Sequence, residues 1–140
     1  MNHRPKIYVS SRASIIERVA MWQQYKTMGA NIISTWIDRA STNTNAINYP
    51  DLWHSIQEEI LSCDRFVFYA EPGDFPMKGA MVEVGIAMAY VKPIWILGNN
   101  LELEGETFRP LGSWVKHHSI TVFKPRATLN DMMQALGLHS

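Results

Sequence analysis

Glu83 is the residue best suited to chemistry. It stands in the run Gly79-Ala80-Met81-Val82-Glu83-Val84-Gly85-Ile86-Ala87-Met88-Ala89-Tyr90-Val91, which carries no other charge. A carboxylate is rarely buried without a partner, so on such a helix Glu83 must face a partner, solvent or a cleft. Gly79, Ala80 and Gly85 surround it with small residues that let another group approach the backbone. The positive end of the helix dipole lies about one turn away, which favours the ionised form. An ionised carboxylate at the mouth of a crevice suits attack on, or stabilisation of, an electron-poor carbon. The plain alternative is a Glu on an exposed edge, paired with Lys78 or Arg12.

Other reactive side chains carry weaker signals. Cys63 lies on an apolar stripe with Leu52, Ile56 and Ile60, which reads as packing. His117 and His118 precede a strand and have no third ligand at metal spacing, so they read as loop residues and no metal site is expected. Trp36, Trp53, Trp95 and Trp114 are each large enough to stack on a base. Trp36 and Trp114 adjoin the two long loops.

These residues need a frame, and composition restricts it. The chain has 140 residues, 46% hydrophobic and 19% charged, with 13 basic side chains against 13 acidic ones. One domain over residues 1–140 is expected, able to bury roughly 70% of its unfolded surface without disulfides or metal. Zero net charge and no Lys/Arg run argue against a general nucleic-acid binder. No apolar run is long enough to span a bilayer, and the opening MNHRP leads straight into a strand instead of a secretory signal, so a cytoplasmic protein is expected.

Short β-branched and aromatic runs alternate with helical stripes. Residues 6–10 (KIYVS), 31–37 (NIISTWI), 65–70 (RFVFYA), 93–97 (PIWIL) and 119–123 (SITVF) read as strands. Ile15, Val19 and Trp22, with Ile16 and Ala20 beside them, mark a first helix that stops at Gly29. Pro50-Asp51 opens a second helix, residues 79–91 form a buried one, and Thr128, Asp131 and Gly137 frame a last one. Such alternation implies a parallel sheet in an α/β, flavodoxin-like (Rossmann-like) three-layer sandwich of five strands in the order 2-1-3-4-5. Ligands on such sheets bind beyond the carboxyl ends of the strands. That gathers residues 10–13, the polar loop 38–48, the loop 71–76 and the start of the Gly79 helix around one crevice. Glu71 and Asp74 are the acids of that crevice loop, with Glu58 and Glu59 farther off on the second helix.

The run from Gly79 to Ala89, followed by Lys92-Pro93 and an apolar strand, resembles the signature of the nucleoside 2-deoxyribosyltransferase family, which includes 2'-deoxynucleoside 5'-phosphate N-hydrolases. The opening Ile7-Tyr8-Val9-Ser10-Ser11, the helix ending Ser62-Cys63-Asp64 and the strand 66–69 fall where that family has counterparts. The resemblance implies an N-glycosidic enzyme acting on a nucleoside or nucleotide, by deoxyribosyl transfer or hydrolysis, with no cofactor. Glu83 would be the nucleophile and Tyr8 the aromatic that orients it. Ser10, Ser11, Arg12, Trp36, Glu71, Asp74 and Gly79 would line the substrate site, with Ser11 and Arg12 where the hydrolases hold a 5'-phosphate. The family's relatives assemble as oligomers, so a homo-oligomer is implied, with the apolar half of the Glu83 helix as packing surface. Two positions depart from the pattern: Ile56 stands where the family has an acid, and Met77 where it has Asp or Ser. A TIR-like NAD glycohydrolase and a non-catalytic nucleotide-binding or sensor module are the competing readings. The Gly-Ala-x-x-Glu-x-Gly run followed by Lys-Pro favours the deoxyribosyltransferase reading over the first, and an ionisable group among small residues on a buried helix favours catalysis over the second.

Overall fold

The computed structural model describes residues 4–40, 48–123 and 126–137. Strand β1 (Ile7–Ser10) leads into helix α1 (Ile16–Thr27), short helix α2 (Trp36–Ala40) and helix α3 (Tyr49–Ser62). Strand β2 (Arg65–Ala70), helix α4 (Lys78–Ala89), strand β3 (Ile94–Gly98), strand β4 (Ile120–Val122) and helix α5 (Leu129–Ala135) follow. All strand pairs are parallel, in the order β1-β2-β3-β4.

The α/β class and the parallel sheet match the sequence reading, but the strand count and order differ. Among the described residues four strands form instead of five, because residues 31–37 do not make a strand. Ile32 alone bridges Ile7, through Ile7 N–H to the Asn31 carbonyl and Ile33 N–H to the Ile7 carbonyl, both 2.9 Å. Beyond that point side chains replace the ladder. The Ser34 hydroxyl accepts from Val9 N–H (3.2 Å), and the Trp36 indole N–H donates to the Val9 carbonyl (2.7 Å). The outward-facing backbone groups of β1 are thus paired without a second strand, and the chain turns into α2.

Side-chain alternation along β1 and β2 divides the core. Tyr8 stacks on Phe66 (centroids 5.4 Å apart) on the face covered by α3 and α4. On the opposite face Trp22 of α1 meets Tyr69 edge-on at 5.6 Å. The sheet is therefore covered on both sides.

The helices follow their sequence signals. Asn48 caps α3 by accepting from Asp51 N–H, and Ile56, Ile60 and Cys63 are buried along its inner stripe. The Lys92 ammonium donates to the Cys63 carbonyl (3.0 Å), so the Lys-Pro before β3 also ties off the end of α3. Thr128 and Asp131 close a capping box on α5. Two expectations change. Ile16, placed beside the apolar stripe of α1, is 81% exposed. Helix α4, apolar nearly all round, is buried along Ala80, Val84 and Ala87 but leaves Val82, Gly85 and Ala89 exposed. Among the described residues no helix is long and apolar enough to cross a membrane.

Candidate active site

Tyr8 and Ser10 are two residues apart on β1 and so project to the same face, toward α4. The Tyr8 hydroxyl donates to Glu83 Oε1 at 2.7 Å. The Ser10 hydroxyl donates to the Ala80 carbonyl (3.4 Å), one turn earlier on α4, and helps to favour the ionised form of Glu83. Helix α4 starts after Met77, whose left-handed backbone (φ 50°) redirects the chain from the 71–76 loop into the helix. Gly79 is exposed there; a Cβ added to it would lie 3.9 Å from the Trp53 ring.

Glu83 is partly buried, and among the described residues no lysine or arginine pairs with it. Neither Lys78 nor Arg12 plays that part. Burial pushes its carboxyl up to about 7; the hydrogen bonds from Tyr8 and Ser10 oppose the rise and the charge of Glu59 adds to it. The expectation that the helix dipole keeps Glu83 ionised is therefore corrected: desolvation outweighs it. Tyr8 is held far above the ordinary phenol range by burial and by the Glu83 carboxylate, so it stays a donor.

The other predicted site residues form a second cluster. Arg18 of α1 is buried and grips Asp74 through two hydrogen bonds (2.7 and 3.2 Å), with Glu71 at 3.2 Å. The Tyr69 hydroxyl donates to Glu71, Asp74 accepts from Glu71 N–H (2.8 Å), and the guanidinium lies 5.0 Å from the Tyr69 ring centre. Burial pulls the Arg18 pKa down, but Asp74 and Glu71 hold it above its usual value. Ser11 is buried and accepts from Arg18 at 3.4 Å. Arg12 is exposed, donating to the Gly73 carbonyl (2.9 Å) and the Ser14 hydroxyl (3.0 Å). The 71–76 loop is thus fastened to the β1–α1 turn by two arginines, and its acids are spent on one of them.

Trp36 is buried, with its indole N–H on Val9. Beside it Thr35 donates from its backbone N–H (3.1 Å) and its hydroxyl (2.6 Å) to the two oxygens of Glu59 on α3. Of the 38–48 loop, residues 41–47 lie outside the described residues. Cys63 is buried, its thiol pushed up to about 11 by desolvation against the pull of Lys92. The His117 and His118 rings stack at 4.3 Å in a turn, with Ser119 N–H on His117 Nδ1 (3.2 Å).

Sequence reasoning passed over Arg18. A signal was present: position 18 lies three residues after Ile15 and four before Trp22, on the buried stripe, so a charge there demands partners.

No family model matches this sequence, and no curated protein does. Solved structures match its fold over nearly the whole chain. A 2-deoxyribosyltransferase from Bacillus psychrosaccharolyticus superposes with a TM-score of 0.64 at 15% identity, covering 94% of this chain and 95% of its own. A 2-desoxiribosyltransferase from Leishmania mexicana gives 0.61 at 16% identity, covering 97% and 99%. A CMP N-glycosidase from Clostridium botulinum gives 0.55 at 14% identity, covering 96% and 99%. The chain shares their fold.

Proposed function

We propose that this protein breaks the N-glycosidic bond of a nucleoside or nucleotide, with Glu83 as the nucleophile. The observation that carries the reading is a partly buried carboxylate, held by Tyr8 on a helix beside β1, with which no lysine or arginine pairs among the described residues. Both transferases and the CMP N-glycosidase, which share this fold, are named for chemistry on nucleosides or nucleotides. In its ionised form Glu83 attacks the anomeric carbon as the C–N bond breaks; the bonding pair leaves with the base, which takes up a proton. The glycosyl ester on Glu83 is then opened by water, giving hydrolysis, or by a second base, giving transfer. Tyr8 aims the carboxylate throughout. Ser11 and Arg12, in the turn after β1, are the positions for a 5'-phosphate, with the exposed Gly79 at the start of α4 as a further contact. A pKa near 7 makes Glu83 basic enough to attack yet largely ionised just above neutrality.

The test is to incubate the protein with ribo- and 2'-deoxynucleosides, their 5'-monophosphates and NAD, with and without an acceptor base, and to chromatograph the released base. Release that is lost in Glu83→Ala is the expected result. Release from no substrate sinks the enzyme reading, and release from NAD alone replaces it with NAD glycohydrolysis. We place the activity in a cytoplasmic homo-oligomer, which light scattering on the purified protein checks as to assembly.

A further inference from the structure

Glu59 is the acid of α3 that this geometry brings into play. Both of its carboxylate oxygens are taken by Thr35, and among the described residues no lysine or arginine pairs with it. Thr35 stands between Ser34 and Trp36, the two residues whose side chains satisfy the N–H and the carbonyl of Val9. Val9 in turn stands between Tyr8 and Ser10, the two residues that hold Glu83. A displaced Thr35 would loosen both bonds to Val9, and with them the backbone that aims the Tyr8 hydroxyl.

We infer that Glu59 is a positioning residue for Glu83: through Thr35 it fixes β1 at Val9, and it stands on α3, which packs against the helix that carries Glu83. The inference rests on Glu83 as the nucleophile for its catalytic meaning, but not for the coupling itself. The charge of Glu59 pushes both Glu83 and Tyr8 toward their protonated forms. The titratable groups that act on the pair are Tyr8 from β1 and Glu59 and Cys63 from α3, with Lys92 acting in turn on Cys63. A fixed anion beside the nucleophile raises its basicity and favours the positive charge that develops on the sugar.

The experiment compares wild type, Glu59→Gln and Glu59→Ala by two readouts. One is the titration midpoint of the Glu83 side-chain carboxyl, followed by carbon-detected NMR and assigned by its loss in Glu83→Gln. The other is the pH profile of kcat/KM for base release. Glu59→Gln keeps hydrogen-bonding capacity toward Thr35 and removes the charge, so the Glu83 midpoint and the acid limb should move together to lower pH. Glu59→Ala should in addition lower kcat about tenfold with KM little changed, as a misaimed nucleophile does. An unmoved Glu83 midpoint in Glu59→Gln overturns the inference, whatever the activity. A midpoint that moves in a protein releasing no base supports the coupling and removes the enzyme reading instead.

Discussion

Two acidic clusters, one joining α1 to the loop after β2 and the other joining β1 to α4, are handled in opposite ways. In one, Asp74 and Glu71 share Arg18, Tyr69 and a backbone N–H, so their charge is answered within the protein. In the other, Glu83 receives the Tyr8 hydroxyl and the field of a like charge, and among the described residues no lysine or arginine pairs with it. Breaking a buried, paired set is costly because it strands its members, whereas an unpaired carboxylate costs stability as it stands. The first cluster holds a loop in place; the second holds a carboxylate in readiness.

Substitutions that exchange the two behaviours test this contrast. Glu83→Ala should lower base release by about 10⁴-fold or more in single-turnover assays, since no neighbour can take over a covalent step. Arg18→Met should leave the buried Asp74 and the partly exposed Glu71 without their cation and destabilise the fold by about 3 kcal/mol, measured by urea unfolding, while the folded fraction keeps its Glu83 titration. Glu83→Gln should do the reverse and stabilise. The folded-state pKa of Glu83 is raised from 4.5 to about 7, so between these values the folded protein binds more protons than the unfolded chain, and wild-type stability falls as pH rises. The variant escapes that loss. Its advantage should be near zero at pH 4 and reach about 2–3 kcal/mol at pH 8, read from paired unfolding curves. Tyr8→Phe should have the smallest effect, about tenfold in kcat. Its acid limb should move to higher pH, because the lost hydrogen bond favoured the ionised Glu83.

Much of the frame was legible because local pattern and tertiary need agree. The stripe Ile56, Ile60, Cys63 announced the inner face of α3, and the lone carboxylate of α4 drew attention to Glu83. The segment 31–37 misled because Ile, Thr and Trp have high strand propensity wherever they occur; that Ser34 and Trp36 would serve β1 through their side chains depends on contacts 25 and 27 residues away. The loop position of Glu71 and Asp74 is visible in sequence, and their common partner is not. Arg18 was the missing term. The link from Glu59 to Thr35 is equally non-local, spanning 24 residues, so nothing on α3 itself distinguished Glu59 from its exposed neighbour Glu58.

The side chains that stand in for an edge strand also bear on solubility. An open strand edge offers a row of free N–H and carbonyl groups on which a foreign strand can grow, the usual seed of sheet-to-sheet aggregation. On β1 those groups are already occupied: Ile7 by the backbone of Asn31 and Ile33, Val9 by a hydroxyl and an indole that no incoming strand can extend. Trp36 therefore guards the sheet as well as filling it. A Trp36→Phe exchange, which keeps an aromatic ring but frees the Val9 carbonyl, would open that margin to self-association at high concentration.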